Sequence, residues 1–165
     1  MRLYIFRHGM TLQSKNNVPY TPENYKTSPL LDEGIPVIEK IGNYLKDIKT
    51  DVNYTSPILR CTQTAEIISE ISGKIFLPND LLTEYGQWVE SFEDLRARAN
   101  KFIEYLNTQQ VEFSAICTHG GVISALKYLL VYKKYKPVNL TDYPLPGVIT
   151  IIENTKFEEV DFNST

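Results

Sequence analysis

Two histidines carry the chemistry that this sequence can be read for. His8 stands in IFRHGM, residues 5–10, and His119 in AICTHGG, residues 115–121. Each closes a short apolar run, each is followed by glycine, and the chain contains 2 histidines in all. At a glycine frequency of ~7 %, two such neighbours arise by accident in ~0.5 % of cases. In open α/β sheets, ligands bind beyond the carboxyl ends of the strands. Both imidazoles therefore point to one place if their strands are adjacent. A single strand-end histidine is an ordinary structural residue, and it is the matched pair that points to a site.

Two histidines joined by carboxylates could hold a catalytic zinc ion. But no H-x-x-x-H or H-x-H spacing occurs, and Arg7 directly precedes His8. A guanidinium repels a cation and attracts an anion, and its planar fork matches phosphate oxygens. Arg60 lies in SPILRCTQTA, residues 56–65, just after a short strand and in the first turn of a helix. Helix N-termini also attract anions through free N–H groups. Alone, Arg60 reads as a solvated cation. Beside Arg7 and His8 it supports an anion site, with no metal expected.

The elements that must position these residues follow from periodicity. RLYIFR (2–7) reads as the first strand, and the polar, proline-containing stretch after it as a long surface loop. A helix begins near Pro36, with Ile38, Ile41, Leu45 and Ile48 on its buried face. VNYT (52–55) is a short strand. Residues 58–72 form a second helix with Leu59, Ile67, Ile68 and Ile71 as its core positions, and KIFL (74–77) is a further strand. Ser91 and Asp94 form a capping signature before a third helix, whose core positions are Phe92, Leu95, Ala99, Phe102, Ile103 and Leu106. FSAICT (113–118) is a strand that runs into His119, and residues 121–132 form a fourth helix. GVITII (147–152) and FEEVDF (157–162) read as a closing hairpin around Asn154. Strands alternating with helices predict an α/β three-layer sandwich: a mostly parallel central sheet with helices on both faces. The reading is of a single domain over 1–165.

Composition excludes several function classes. The net charge is −3 with no basic stretch, so no nucleic-acid partner is expected. MRLYIF is too short for a signal-peptide core, and no apolar run is long enough to span a membrane. The 2 cysteines, Cys61 and Cys117, do not suggest a disulfide framework and read as reduced thiols. The expectation is a cytoplasmic protein with no membrane partner; the residues assign no oligomeric state.

Four motifs, in order, match a known family: RHG at 7–9, SP-x-x-R-x-x-QTA at 56–65, L-x-E at 82–84 and THGG at 118–121. With SPLLDEG (28–34) before the first long helix, the chain resembles the histidine phosphatase superfamily, which includes phosphoglycerate mutases. The resemblance runs from about residue 2 to residue 131 and implies the phosphoglycerate mutase-like fold. It also implies that His8 attacks phosphorus and forms a phosphohistidine, splitting one hard step into two. Arg7, Arg60 and His119 would bind the phosphoryl oxygens, with Gly120 lining the substrate site. Glu84 would protonate the leaving oxygen and later activate water, with Glu90 the alternative for that role because Gly86 and Trp88 follow Glu84 unusually closely. No cofactor is implied. Gly9 would let the chain turn tightly away from the strand.

Three departures from the family pattern bear on substrate. Met10 replaces a glutamate common after RHG, making the rim less acidic. Ser14 stands where many relatives carry a phosphate-touching asparagine; its hydroxyl can donate a similar bond over a shorter reach. The segment between Glu84 and His119 lacks room for a helical lid, so the pocket should be open, with loop 13–28 as a partial cover. An open site disfavours a mutase, which must shield its phosphoenzyme from water. The expected activity is metal-independent hydrolysis of phosphomonoesters, on a phosphorylated small molecule or a phosphoprotein. The alternatives are a protein phosphohistidine phosphatase, a phosphoglycerate mutase and, in another class, an inactive module that binds phosphorylated ligands.

Overall fold

The computed structural model describes residues 1–163; the last two positions of the 1–165 span lie outside the described residues. Six strands form one sheet in the order β3-β2-β4-β1-β5-β6. β1 (Arg2–Arg7), β2 (Asn53–Thr55), β3 (Phe76–Pro78) and β4 (Phe113–Thr118) run parallel, and β5 (Val148–Glu153) and β6 (Lys156–Asp161) add an antiparallel hairpin. The fold is α/β with a mostly parallel sheet, as the alternating pattern predicts.

Side-chain alternation along β1 feeds both layers. Leu3 and Ile5 pack with Leu95, Phe102 and Leu106 of α4 (Phe92–Thr108) and with Ile123 and Leu126 of α5 (Gly120–Lys127). Tyr4 and Phe6 face the other way, onto Ile38, Ile41 and Leu45 of α2 (Ile35–Lys46) and Cys61 and Ile68 of α3 (Leu59–Ser72). Strands buried on both faces explain why β1 and β4 read as continuous apolar runs. Among the described residues, no helix is long and apolar enough to cross a membrane.

Several local expectations change. Part of the polar loop after β1 is a short helix, α1 (Leu12–Asn16), capped by Thr11 and ended by Asn17 in the left-handed region. Leu59 is exposed; the buried face of α3 is instead Arg60, Cys61, Thr64, Ala65 and Ile68. A buried arginine on that face breaks the apolar pattern, which is why periodicity missed it. The helix expected over 121–132 ends at Lys127 and continues as a π-turn, Tyr128–Tyr132. The Ser91–Asp94 cap forms as expected, with Asp94 N donating to Ser91 Oγ and Ser91 N to Asp94 Oδ2, each at 3.1 Å.

Candidate active site

The β1–β4 register brings the two histidines together. Arg7 pairs with Thr118, so the next residues, His8 and His119, leave the sheet side by side. His8 N donates to the Thr118 carbonyl at 3.1 Å, and the ring centroids are 5.5 Å apart. Both side chains are fully buried. Gly9 serves this packing by its lack of a side chain, not by a left-handed turn. A Cβ there would lie 2.3 Å from Ile38 Cδ1, and Gly9 N donates to Thr64 Oγ1 at 2.9 Å, tying the histidine's loop to α3.

The hydrogen bonds of His8 fix its chemistry. Its Nδ1 faces the Gly9 carbonyl at 2.8 Å. A carbonyl can only accept, so Nδ1 carries the proton and Nε2 keeps its lone pair. Nε2 is buried and has no protein hydrogen-bond partner among the described residues. Burial first, and then the charges of Arg7, His119 and Arg60, hold the ring's pKa well below 6.5. The result is a neutral imidazole with one free nitrogen beside a cluster of cations.

His119 is shifted in the opposite direction. Nδ1 lies 3.3 Å from Glu84 Oε2 and Nε2 lies 2.8 Å from Ser56 Oγ. Burial opposes protonation, but the Cys61 sulfur and the Glu84 carboxylate more than offset it, and the pKa is raised. Two imidazoles at the ends of adjacent strands are thus pushed apart in proton affinity, His8 down and His119 up, by their partners.

Arg60 is fully buried, which is costly unless its charge is paired. Nη2 donates to Glu84 Oε2 at 3.0 Å, Nη1 donates to the Tyr25 carbonyl, and the Tyr20 ring lies 3.9 Å from the guanidinium carbon. Arg7 donates through Nη1 to the Pro144 carbonyl at 3.3 Å and stands 5.0 Å over the Tyr143 ring. Gly120 makes room for that ring, since a Cβ there would lie 2.4 Å from Tyr143 Cε2. Gly120 also opens α5, where first-turn N–H groups have no intrahelical acceptor. The Nε atoms of Arg7 and Arg60 are buried and unpartnered among the described residues, like His8 Nε2. Two guanidinium donors and the His8 lone pair are thus left without a protein partner.

Glu84 joins this cluster and Glu90 does not. The Glu84 side chain is 13 % exposed. Burial alone would raise its pKa, but His119 first and then Arg60 hold it well below the usual carboxylate range. Glu90 instead pairs with Arg98 at 2.9 Å. Ser14 closes the α1 cap: its Oγ accepts from Thr11 N at 2.9 Å and donates to the Thr11 carbonyl at 3.2 Å. Met10 is half-buried and packs against Gly34, where a Cβ would lie 2.8 Å from its own.

The site is covered rather than open. Tyr20 lies on Arg60 and its hydroxyl bonds Thr11 Oγ1 at 2.7 Å. Tyr25 meets Trp88 edge-on at 5.4 Å between centroids. The cover joins Tyr20 and Tyr25 of the loop after β1 to Trp88, which follows Glu84 in the chain. Sequence reading missed Ser56, Tyr20 and Tyr25. Ser56 was legible as part of the SP-x-x-R motif; nothing in the order of residues marks the two tyrosines.

Oxygens and nitrogens of His8, Glu84 and His119 also lie within 4.8 Å of one another, close enough to share a metal ion. The donor set fits a cation poorly. Glu84 is already neutralised by Arg60 and His119, and both guanidiniums act on the His8 ring. The same charges favour an anion.

A family model described as histidine phosphatase superfamily (branch 1) matches residues 3–89 and 79–158. The chain belongs to this superfamily. No curated protein matches it significantly. Among solved structures, the α-ribazole phosphatase from Shigella flexneri superposes with a TM-score of 0.78 at 21 % identity, covering 99 % of this chain and 96 % of that one. The protein histidine phosphatase SixA complexed with tungstate gives 0.71 at 17 % identity, covering 98 % and 97 %. A phosphoglycerate mutase from Bacillus anthracis str. Sterne gives 0.70 at 20 % identity, covering 98 % and 93 %. At these identities the likeness establishes a shared fold, and the chemistry of this superfamily member must be assigned from its own residues.

Proposed function

We propose that the chain hydrolyses phosphomonoesters in two steps through a phosphohistidine on His8. The observation that carries this reading is the His8 ring: Nδ1 committed to the Gly9 carbonyl, Nε2 buried and free, in a site that also holds Arg7, Arg60 and His119.

In the first step Nε2 forms a bond to phosphorus as the bond from phosphorus to the leaving oxygen breaks. Arg7, Arg60 and protonated His119 hold the equatorial oxygens, where charge gathers. The leaving oxygen takes its proton from Glu84. In the second step Glu84 removes a proton from water, the water oxygen bonds to phosphorus, and the P–N bond breaks. Fixed cations do this work, so the reaction calls on no metal or cofactor.

Glu84 is ionised in the free protein and must be protonated before it can act as an acid. A bound phosphoryl group competes with it for Arg60 and His119. Displaced from those cations and set beside a new anion, the carboxyl regains affinity for a proton.

Hydrolysis is favoured over mutase chemistry because no helical lid stands between Glu84 and α4 to shield a phosphoenzyme from water. The substrate is a phosphorylated small molecule or a phosphoprotein. The names of the α-ribazole phosphatase and the protein histidine phosphatase illustrate both classes on this fold.

The test is phosphate release from a panel of sugar phosphates, nucleotides, phosphoglycerates and phosphohistidine peptides, with and without a chelator. Multiple turnover insensitive to the chelator supports the reading. Tight binding with no turnover of any member marks an inactive binding module instead.

A further inference from the structure

Glu84 sits in a stretch from Thr83 to Glu90 that has no helix or strand, yet its carboxylate must meet both Arg60 and His119. Arg98, on α4, reaches this stretch from outside the site. Its Nε and Nη2 each donate to the Glu90 carboxylate at 2.9 Å, and Nη1 donates to the Leu81 carbonyl at 2.8 Å. One guanidinium thus binds the chain on both sides of Glu84. The Arg98 and Glu90 side chains are only 15 % and 14 % exposed. Two further contacts complete the frame. Thr118 Oγ1 donates to the Leu82 carbonyl at 2.7 Å, joining the loop to the residue before His119. The Gly86 carbonyl accepts from Val89 N at 2.9 Å and from Glu90 N at 3.1 Å, folding the chain back towards Arg98.

We propose that Arg98 is a positioning residue for the acid–base step, clasping the two ends of the Glu84 loop, with Glu90 as its counter-ion. The role rests on the phosphatase reading above. The geometry needs a planar fork, because three donors must reach two separated acceptors at once; an ammonium is a point charge on a flexible stem. Glu90, a candidate acid by sequence, thus acts through Glu84 and not on the substrate.

The test compares phosphoenzyme formation from two esters in a rapid-quench experiment. A p-nitrophenyl leaving group departs without a proton, whereas the alkoxide of β-glycerophosphate requires one. Arg98→Ala should slow the alkyl ester about tenfold or more and the aryl ester less than about threefold, a partial loss of an acid worth about 10²–10⁴. Arg98→Lys should recover part of the difference. Glu90→Gln, which keeps the size of the side chain, should show the same selectivity to a smaller extent, and it carries the test if Arg98→Ala does not fold. Equal losses on both esters, or no loss in a folded variant, overturn the positioning role alone. If the wild type forms no acid-labile phosphate with either ester, the phosphatase reading falls and this role falls with it.

Discussion

Glu84 Oε2 lies 3.0 Å from Arg60 Nη2, and the same oxygen lies 3.3 Å from His119 Nδ1. An internal carboxylate therefore holds two of the cations that a phosphoryl group would use. In the proposed mechanism an oxyanion displaces this carboxylate from both cations, which raises its proton affinity.

This displacement predicts proton uptake on binding. Tungstate does not itself titrate near neutrality, so calorimetry in buffers of different ionisation enthalpy isolates the protein's share. Binding at pH 7 should take up about one proton, and Glu84→Gln should bind tungstate with that uptake abolished. Identical uptake in the variant and the wild type would place the proton elsewhere.

The two histidines should titrate on opposite sides of the ordinary value. The chain has 2 histidines, so an imidazole NMR titration contains two signals. His8 should remain neutral well below pH 6.5, and His119 should remain protonated above it. Stability follows with opposite signs. The contribution of His8, whose folded pKa is depressed, is present above pH 6.5 and is lost as the pH falls through the folded value. That of His119, raised in the fold, is complete below 6.5 and is lost as the pH rises through its folded value. Thermal unfolding of His8→Gln across this range should show less loss of stability on acidification than the wild type.

Glu84 is assigned to both half-reactions, and they can be separated. With p-nitrophenyl phosphate the first step needs no acid, so Glu84→Gln should form phosphoenzyme at close to the wild-type rate. Its hydrolysis should slow by about 10² or more, because water loses its base. Quenched-flow traces should show the phosphoenzyme accumulating. If it forms slowly and does not accumulate, the carboxylate has some other role.

Much of the site was legible because strand topology has simple rules. The apolar runs ending at Arg7 and Thr118 mark buried parallel strands, and strand ends are where α/β folds place ligands. Arg60 was legible only through its motif and its neighbours, since burial of a cation on α3 contradicts the periodicity that finds helix faces. Glu84 could not be separated from Glu90 by spacing, because the Arg98 contact that removes Glu90 from the site spans a loop and a helix. Loop 13–28 was legible as a partial cover, but Tyr20 and Tyr25 were not: a polar loop with prolines gives no period, and its tyrosines are placed by contacts with Arg60 and Trp88, which lie far along the chain. Ser14 matched a family position, but its hydroxyl is engaged in the α1 cap.

The proposed reaction depends above all on His8 Nε2 as the atom that receives the phosphoryl group. The direct measurement is to mix the protein with an excess of phosphomonoester, quench in alkali, and locate the phosphate by mass spectrometry. The expected result is an acid-labile, alkali-stable phosphate on His8, absent in a folded His8→Ala variant that has lost turnover. Turnover with no phosphate on His8, or a His8→Ala variant that retains substantial activity, would contradict it.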